Sequence, residues 1–386
     1  MMNKRGELLT IIASIIIIIG AISGCNNKEI NSVYNSIINL SDPIFVTKNS
    51  LNISIDPRIE LLSIVQYLSN YEENFYGRIT DYDFTYRNKV DEYFEEFKDH
   101  EAVKLSYELS HEGFNFDAPP AAVLYMTKDF QLRDDVEIED YLIERAKGID
   151  NINKLFNALN KFWEDTKFND FFNENKEYYT YLVKNTSEMI SDEKNIVEEL
   201  EQYYGIKQES YNVILVSLYG PGGYGPRVKL INKNNEIYSI IGATNIDANN
   251  RPIFGDEDYF DYIQNHEFSH SFINPLTEKY LDIANEYSSL YNPIEDKMLP
   301  FGYTDWEISL NEHIIRALTS RFSYLENNLS GKNALLKEKE DGFIYIDKLF
   351  EKLEEYEDNR DKYPTIDSFY PELIKSLDYY VKNNQL

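Results

Sequence analysis

NHEFSHSFINP, residues 265–275, is the stretch of this sequence that decides the fold. His266 and His270 stand four residues apart, and Glu267 directly follows the first of them. On an α-helix, residues four apart lie on one face, so both imidazoles can reach a single ion. The intervening glutamate is then placed to take a proton from water at that ion. The stretch therefore predicts a zinc-binding helix that also carries a general base, Glu267.

The residues around the motif favour a helix. No proline or glycine occurs between Asp256 and Asn274, Asp256 and Asp258 suit a helix N-terminus, and Pro275 is expected to end the helix. The alternative is an ordinary helix that carries two exposed histidines. The chain has only five histidines, so a pair at this spacing with a glutamate in this position favours the metal site.

A catalytic zinc ion needs a third protein ligand and an open position for water. The extended motif with a later glycine and histidine is absent, because Ile273 and Leu276 occupy those positions. An acid on a following helix is therefore expected. The best candidate is Glu312, at the edge of the apolar arc of a helix predicted over WEISLNEHIIRALTSRF, residues 306–322.

The sequence allows other third ligands and another role for Glu312. Glu278 and Glu286 are weaker candidates for the same role. Glu312 could instead form a surface ion pair with Arg316, four residues later, or Arg316 could hold the ligand in place from outside. His313 lies on the far side of the arc and is predicted to be a surface residue.

Strands and helices are segregated along the chain. Residues 44–49 and 51–56 are predicted as short strands, and a mainly helical region extends to about residue 205. Two or three strands of one small sheet follow, before the NHEFSHSFINP helix and further helices. This order indicates an α+β fold.

Two segments near the predicted sheet suggest further roles. GPGGYGP, residues 220–226, is not followed by the Gly-Lys-Ser/Thr of a phosphate loop and is predicted to be a hairpin turn. The sheet edge at SIIGATN, residues 239–245, is a candidate for aligning an extended peptide by strand addition.

The composition excludes two classes of partner. The 386 residues include 42% hydrophobic residues, enough for a substantial core, and carry 38 basic and 67 acidic side chains, a net charge of -29. Nucleic-acid binding requires a basic face, and docking on an anionic membrane surface requires basic clusters. Neither partner is expected.

The N-terminal residues are typical of an exported protein. Lys4 and Arg5 precede the apolar run Leu8–Ala21, which ends in small residues before Cys25, the only cysteine of the chain. This arrangement resembles the lipobox of bacterial lipoproteins, which implies lipidation of Cys25. The alternative is an uncleaved N-terminal membrane helix. Both interpretations place the bulk of the chain outside the cytoplasm.

The motif region resembles a known family. NHEFSHSFINP, with YTDW at residues 303–306 and NEHIIRA at residues 311–317, is similar to bacterial zinc metallopeptidases of the zincin fold, a family of unknown function with the signature HEFSHSFxNP. Residues 55–68 and 98–120 are similar to the same family. The resemblance covers most of residues 50–330 and does not extend past about Lys332.

The resemblance implies a gluzincin-type site. His266, His270 and Glu312 would bind Zn²⁺, and Glu267 would be the general base. Tyr303, nine residues before Glu312, is a separate candidate donor to the oxyanion formed during peptide hydrolysis, and the alternative is a packing role. The predicted organisation is a signal peptide over residues 1–24, a tether over 25–42, a mainly helical region over 43–205 and a zincin-like catalytic region over 206–386.

The sequence thus predicts a membrane-tethered, extracytoplasmic zinc metallopeptidase whose partners are a peptide or protein substrate and the membrane, through its lipid anchor. The alternative is a non-catalytic, metal-binding surface lipoprotein that binds a ligand or partner. Structural zinc is usually closed by four ligands, often cysteines. The only cysteine is assigned to the anchor, which favours the enzyme.

Replacement of Cys25 tests the anchor. Cys25→Ser removes the only thiol of the chain, so we expect loss of lipid labelling and loss of membrane retention. Metabolic labelling with a fatty-acid analogue and membrane fractionation measure both effects. Membrane retention of the variant at unchanged mass would contradict the lipoprotein interpretation.

Overall fold

The computed structural model describes residues 39–71, 75 and 77–382. The predicted signal peptide, Cys25 and most of the tether lie outside these residues. The described chain forms a mainly helical α+β fold around a small mixed sheet, which confirms the α+β part of the predicted fold class. No helix in this part of the chain combines the length and the apolar character needed to cross a membrane.

The sheet joins two strands near the start of the described chain to strands from the middle of the sequence. Its six strands are β1 (Ile44–Lys48), β2 (Leu51–Ile55), β3 (Ser210–Val216), β4 (Gly223–Tyr224), β5 (Arg227–Val228) and β6 (Glu236–Gly242), and a separate hairpin contains β7 (Asn245–Ile246) and β8 (Pro252–Ile253). The order is β1-β2-β3-β6-β4, with β5 also paired to β6. The three central strands, β2, β3 and β6, run parallel. The predicted division near residue 205 stays a prediction, and the sheet takes strands from both sides of it.

The strand predicted to offer a free edge is not an edge strand. β4 and β5 pair antiparallel with β6 on the side opposite to β3. Their contacts include the Gly242 N–H, which donates to the Gly222 carbonyl at 3.1 Å, and the Tyr238 N–H, which donates to the Pro226 carbonyl at 2.9 Å. The glycine-rich segment thus forms a strand rather than only a turn. The prediction of strand addition at SIIGATN was therefore wrong.

Helices make up most of the remaining chain. Before β3 they are α1 (Pro57–Leu68), α2 (Thr85–Phe94), α3 (Glu101–His111), α4 (Ala118–Leu124), α5 (Asp140–Arg145), α6 (Ile149–Thr166), α7 (Phe168–Glu174), α8 (Lys176–Met189) and α9 (Ile196–Tyr204). After β8 they are α10 (Glu257–Lys279), α11 (Leu281–Asn285), α12 (Glu295–Met298), α13 (Trp306–Glu326), α14 (Asn328–Glu340), α15 (Ile346–Asp358), α16 (Ile366–Lys375) and α17 (Asp378–Lys382). Helices α10 and α13 contain the NHEFSHSFINP and NEHIIRA stretches and pack against each other.

Both of these helices begin at aspartate caps. The Asp256 carboxylate accepts a hydrogen bond from the Tyr259 N–H at 2.9 Å, and the Asp305 carboxylate accepts one from the Ile308 N–H at 3.0 Å. Each cap satisfies a backbone donor that has no partner inside the helix, which stabilises a helix by about 1 kcal/mol. The predicted start of the histidine helix at Asp256 is confirmed.

The predicted end of that helix was wrong. Helix α10 continues through Pro275 to Lys279, so the proline lies inside it. An interior proline removes the hydrogen bond to the carbonyl four residues earlier, that of Ser271. Leu276 and Thr277, directly after the proline, are buried in the core. Tertiary packing of this last turn therefore outweighs the local preference for a break.

A buried carboxyl group connects three of the earlier helices. Glu60 of α1 is 1% exposed, and its Oε1 accepts a hydrogen bond from the Tyr86 hydroxyl of α2. The Tyr86 oxygen lies 2.6 Å from the hydroxyl of Tyr179 in α8. Burial raises the pKa of Glu60 to about 7, although the bond from Tyr86 acts in the opposite direction. Glu60 is therefore largely protonated in the folded protein below neutral pH.

This pKa predicts a pH dependence of stability. In the unfolded chain Glu60 ionises near 4.5, whereas the folded protein keeps its proton until about 7. The stabilisation is complete below pH 4.5 and is lost as the pH rises to 7. Relative to Glu60→Gln, the wild-type free energy of unfolding should fall by about 1.4 kcal/mol per pH unit in this window.

Urea denaturation between pH 4.5 and 8 measures this difference. The exposed Glu340 provides the control, because Glu340→Gln should follow the wild type at every pH. A constant difference between wild type and Glu60→Gln across the window would show that Glu60 does not titrate in this way.

Candidate metal centre

Helix α10 presents its two histidines on one face. The ring centroids of His266 and His270 lie 5.2 Å apart, as the spacing of four residues predicts. His266 is buried and His270 is partly buried. The Nδ1 of His270 lies 3.4 Å from the Asn274 side-chain oxygen, which leaves Nε2 to face the neighbouring helix. The Nδ1 of His266 is buried and has no hydrogen-bond partner among the described residues.

Helix α13 brings Glu312 to the two imidazoles. The Glu312 oxygens lie 3.7 Å from Nε2 of His266 and 3.4 Å from Nε2 of His270. Two ligand atoms about 2.0–2.1 Å from a tetrahedral ion are about 3.3 Å apart, so these separations suit a shared ion better than hydrogen bonds. Within the part of the chain that the structure describes, this is the one such group of three or more His, Cys, Asp or Glu side chains.

The protonation states of these groups also fit a cation. Burial lowers the pKa of His266 to about 3, so the imidazole is neutral and its lone pair is available. Burial opposes ionisation of Glu312, but Arg316 and the two histidines outweigh it and lower the pKa of that carboxyl to about 2. A carboxylate and neutral imidazoles are typical ligands of a divalent metal. The group can therefore bind a metal ion.

Buried hydrogen bonds fix how the two helices cross. Thr277 of α10 donates through its hydroxyl to the side-chain oxygen of Asn311, the residue before Glu312. The Thr277 hydroxyl also lies 2.5 Å from the Tyr370 hydroxyl of α16. Nearer the middle of α10, the hydroxyls of Ser269 and Tyr204 lie 2.6 Å apart. Because buried polar groups are costly without partners, these contacts favour one arrangement of the helices.

The ion pair of Glu312 and Arg316 forms, but it is not a surface pair. The Arg316 Nε donates to Oε2 of Glu312 at 3.2 Å, and the Glu312 side chain is only 6% exposed. The Arg316 Nη1 donates to Oε2 of Glu338 in α14 at 2.6 Å. The Tyr262 hydroxyl of α10 donates to the other oxygen of Glu338. Neither Glu338 nor Tyr262 was predicted from the sequence to belong to the site.

Tyr303 lies beside the third ligand. Its hydroxyl accepts a hydrogen bond from Arg316 Nη2 at 3.4 Å, and a bond from Tyr303 contributes to the low pKa of Glu312. Burial, followed by the Glu312 charge, raises the pKa of Tyr303, so the phenol stays protonated. The structure thus brings this predicted donor to the same site as the histidines.

Glu267 is buried against strand β4. It is 4% exposed, and a Cβ atom at Gly223 would lie 2.8 Å from its Oε1. A Cβ at Gly225 would collide with the backbone carbonyl of Glu267. The glycine run therefore permits close approach of a strand to Glu267, a role that the turn interpretation missed. Burial raises the pKa of Glu267 well above its usual value, Glu312 raises it further, and Arg316 and Arg78 act in the opposite direction.

His313 contradicts its predicted surface position. It is 0% exposed, its Nδ1 lies 2.7 Å from the Ser309 carbonyl, and its ring centroid is 5.2 Å from those of Phe343 and Tyr345. The prediction was wrong because the C-terminal residues cover the side of α13 that was expected to face solvent. The alternative ligands Glu278 and Glu286 are both exposed and do not belong to the three-residue group.

Metal binding by the group is testable through Glu312. Glu312→Ala removes one of three donors and leaves Arg316 next to the two histidines. We expect metal affinity to fall by more than the roughly 10- to 100-fold that loss of an outer hydrogen-bond partner costs. Equilibrium dialysis against zinc with elemental analysis measures this. Glu286→Ala is the control, and a loss of zinc in that variant alone would reassign the third ligand.

A comparison with protein families finds a match that covers most of the chain. The family model described as a domain of unknown function (DUF4932) matches residues 51–376, which includes the C-terminal helices that the sequence resemblance did not reach. No curated protein and no solved structure matches the chain. The chain belongs to the DUF4932 family.

Proposed function

We propose that this protein is a zinc-dependent hydrolase of the zincin type, specifically a gluzincin-like metallopeptidase that cleaves peptide bonds. One observation carries the proposal. A buried glutamate, Glu267, lies on the same helix turn as two members of a three-donor metal group, His266 and His270. A purely structural metal site needs no such carboxylate.

The number of donors supports a catalytic centre. His266, His270 and Glu312 supply three protein ligands, whereas structural zinc sites are usually closed by four. Neutral imidazoles and a carboxylate are compatible with zinc. When bound, zinc would polarise the scissile carbonyl and lower the pKa of the attacking water.

Glu267 is assigned the proton transfer. Its carboxylate takes one proton from the attacking water as the new C–O bond forms and the carbonyl oxygen becomes an oxyanion. It then delivers that proton to the amine nitrogen, so that the C–N bond breaks and the carbonyl is restored as a carboxyl group. The side chain is buried between α10 and β4, where Gly223 leaves no Cβ to displace it. This placement keeps the carboxylate close to the ligand face of the helix.

Tyr303 is assigned to stabilise the developing oxyanion. The phenol remains protonated, as its raised pKa indicates, and Arg316 donates to its oxygen at 3.4 Å. In the structure this hydroxyl donates its hydrogen to Glu312, so the assigned role requires the hydroxyl to turn from Glu312 toward the oxyanion. A neutral O–H donor placed at developing negative charge lowers the barrier to acyl transfer.

We further propose that the protein acts outside the cytoplasm on a peptide or protein substrate, tethered to the membrane through a lipid on Cys25. The alternative function, a non-catalytic metal-binding surface lipoprotein, predicts the same metal content. The two differ in whether Glu267 supports turnover.

Glu267→Gln separates these functions. The substitution keeps the size of the side chain but removes the base, so zinc should remain at one per chain while cleavage of a mixed peptide library falls by about 10²- to 10⁴-fold. Mass spectrometry of the library measures cleavage, and elemental analysis measures zinc.

Glu278→Gln is the matched control. Glu278 is exposed on the same helix, eleven residues after Glu267, and should tolerate the same substitution without loss of activity. Zinc at one per chain with no Glu267-dependent cleavage would favour the metal-binding surface protein over the peptidase.

A further inference from the structure

We propose that Glu338 is a positioning residue of the metal centre, which connects the two ligand helices and neutralises the arginine beside Glu312. The inference rests on the proposed metal site and names a residue outside the motif. Glu338 lies in α14, beyond the part of the chain that resembles the zincin family.

The Glu338 carboxylate is buried and both of its oxygens are used. The residue is 4% exposed. Its Oε2 accepts a hydrogen bond from Arg316 Nη1 at 2.6 Å, and its Oε1 accepts one from the Tyr262 hydroxyl. A buried carboxylate with a charged donor and a neutral donor is well satisfied, so its position is strongly determined.

The two residues that donate to Glu338 each contact a different member of the metal group. Arg316 stands one turn after Glu312 on α13 and donates to it through Nε at 3.2 Å. Tyr262 stands one turn before His266 on α10, and the two rings stack with centroids 6.4 Å apart and planes 21° apart. Glu338 thus joins the helix that carries the histidines to the helix that carries the acid.

The negative charge of Glu338 also offsets the positive charge of Arg316. The Arg316 guanidinium lies between two carboxylates and over the Phe343 ring, 4.0 Å from its centroid. Without Glu338, the positive charge of Arg316 would act on Glu312 alone. It would then compete with a divalent cation for the same carboxylate. Glu338 therefore leaves Glu312 available to a metal while Arg316 still orients it.

Glu338→Gln removes the charge and keeps the shape. We expect the dissociation constant for zinc to rise about 10- to 100-fold, the usual effect of removing an outer partner of a metal ligand. Competition with a chromophoric zinc chelator measures the constant on the full-length protein in detergent. The visible absorption bands of the cobalt-substituted protein should also shift, because the Glu312 carboxylate changes its position.

The chain contains a closely matched control. Arg321, on the same helix as Arg316, donates through Nη2 to Oε2 of Glu357 in α15 at 2.6 Å, and the Tyr203 hydroxyl donates to Oε1 of Glu357 at 3.0 Å. This group repeats the arginine, glutamate and tyrosine contacts, but neither Arg321 nor Glu357 contacts a member of the metal group. Glu357→Gln should therefore lower stability without changing zinc affinity or the cobalt spectrum.

A milder pair of variants covers the case in which Glu338→Gln does not fold. Tyr262→Phe removes only the hydroxyl that donates to Glu338, and Tyr203→Phe removes the matching hydroxyl at Glu357. A several-fold loss of zinc affinity in Tyr262→Phe, with none in Tyr203→Phe, supports the proposal.

The outcomes distinguish this inference from the proposed function. Equal zinc affinity and cobalt spectra in the Glu338 or Tyr262 variant and its matched control overturn the positioning role, and the peptidase assignment is unaffected. Zinc binding that depends on Glu338, in a protein without Glu267-dependent cleavage, supports the positioning role and overturns the peptidase assignment. A wild-type protein that binds no zinc overturns both.

Discussion

The buried charge of Glu312 is the constraint on which the candidate site depends. An ionised carboxylate in the protein interior is costly unless it is paired and hydrogen-bonded. Arg316 provides that partner at 3.2 Å, but its own charge is partly buried and is stabilised by a second carboxylate, which Glu338 supplies at 2.6 Å. One ligand thus requires a series of contacts that extends over α13 and α14. Helix α14 is in this sense part of the candidate site, and it lies within the family match, which continues to residue 376.

The same helices are held by contacts that do not involve the ligands. Thr277, Asn311 and Tyr370 form a buried polar cluster where α10, α13 and α16 meet. Tyr204 packs against the opposite face of α10, stacked on Phe272 with ring centroids 4.2 Å apart. Packing and polar contacts of this kind fix the relative position of two helices more firmly than loops can. The three donor side chains are therefore held close together by contacts that do not involve an ion, which would reduce the ordering that metal binding requires.

The site residues that depend on local helical patterns were predicted from the sequence, whereas contacts between residues far apart in the chain were not. His266, His270 and Glu267 are predicted from their helical spacing on α10, and Glu312 is predicted from its place beside the apolar arc of α13. Each of these patterns lies within a few turns of a single helix. Glu338 could not be found in this way, since 22 residues separate it from Arg316 and 76 from Tyr262. The burial of His313 depends on aromatic residues about thirty positions later. The passage of α10 through Pro275 likewise depends on the packing of Leu276 and Thr277, which no local rule contains.

The arrangement of charges gives a further reason to regard the site as built for a cation. Glu267, Glu312 and Glu338 are three buried carboxylates near the guanidinium of Arg316, and the charge of Arg78 also acts on Glu267, while burial keeps His266 neutral. With all three ionised, the carboxylates outnumber these two guanidinium groups and leave a formal charge of minus one. In the protein alone the excess is relieved at Glu267, whose pKa is raised because it is buried near Glu312. A divalent cation between His266, His270 and Glu312 would balance the group and favour the ionised form of Glu267. The proposed ligands and the proposed base would thus be electrostatically linked, because an ion that activates water would also favour the form of Glu267 that can accept its proton.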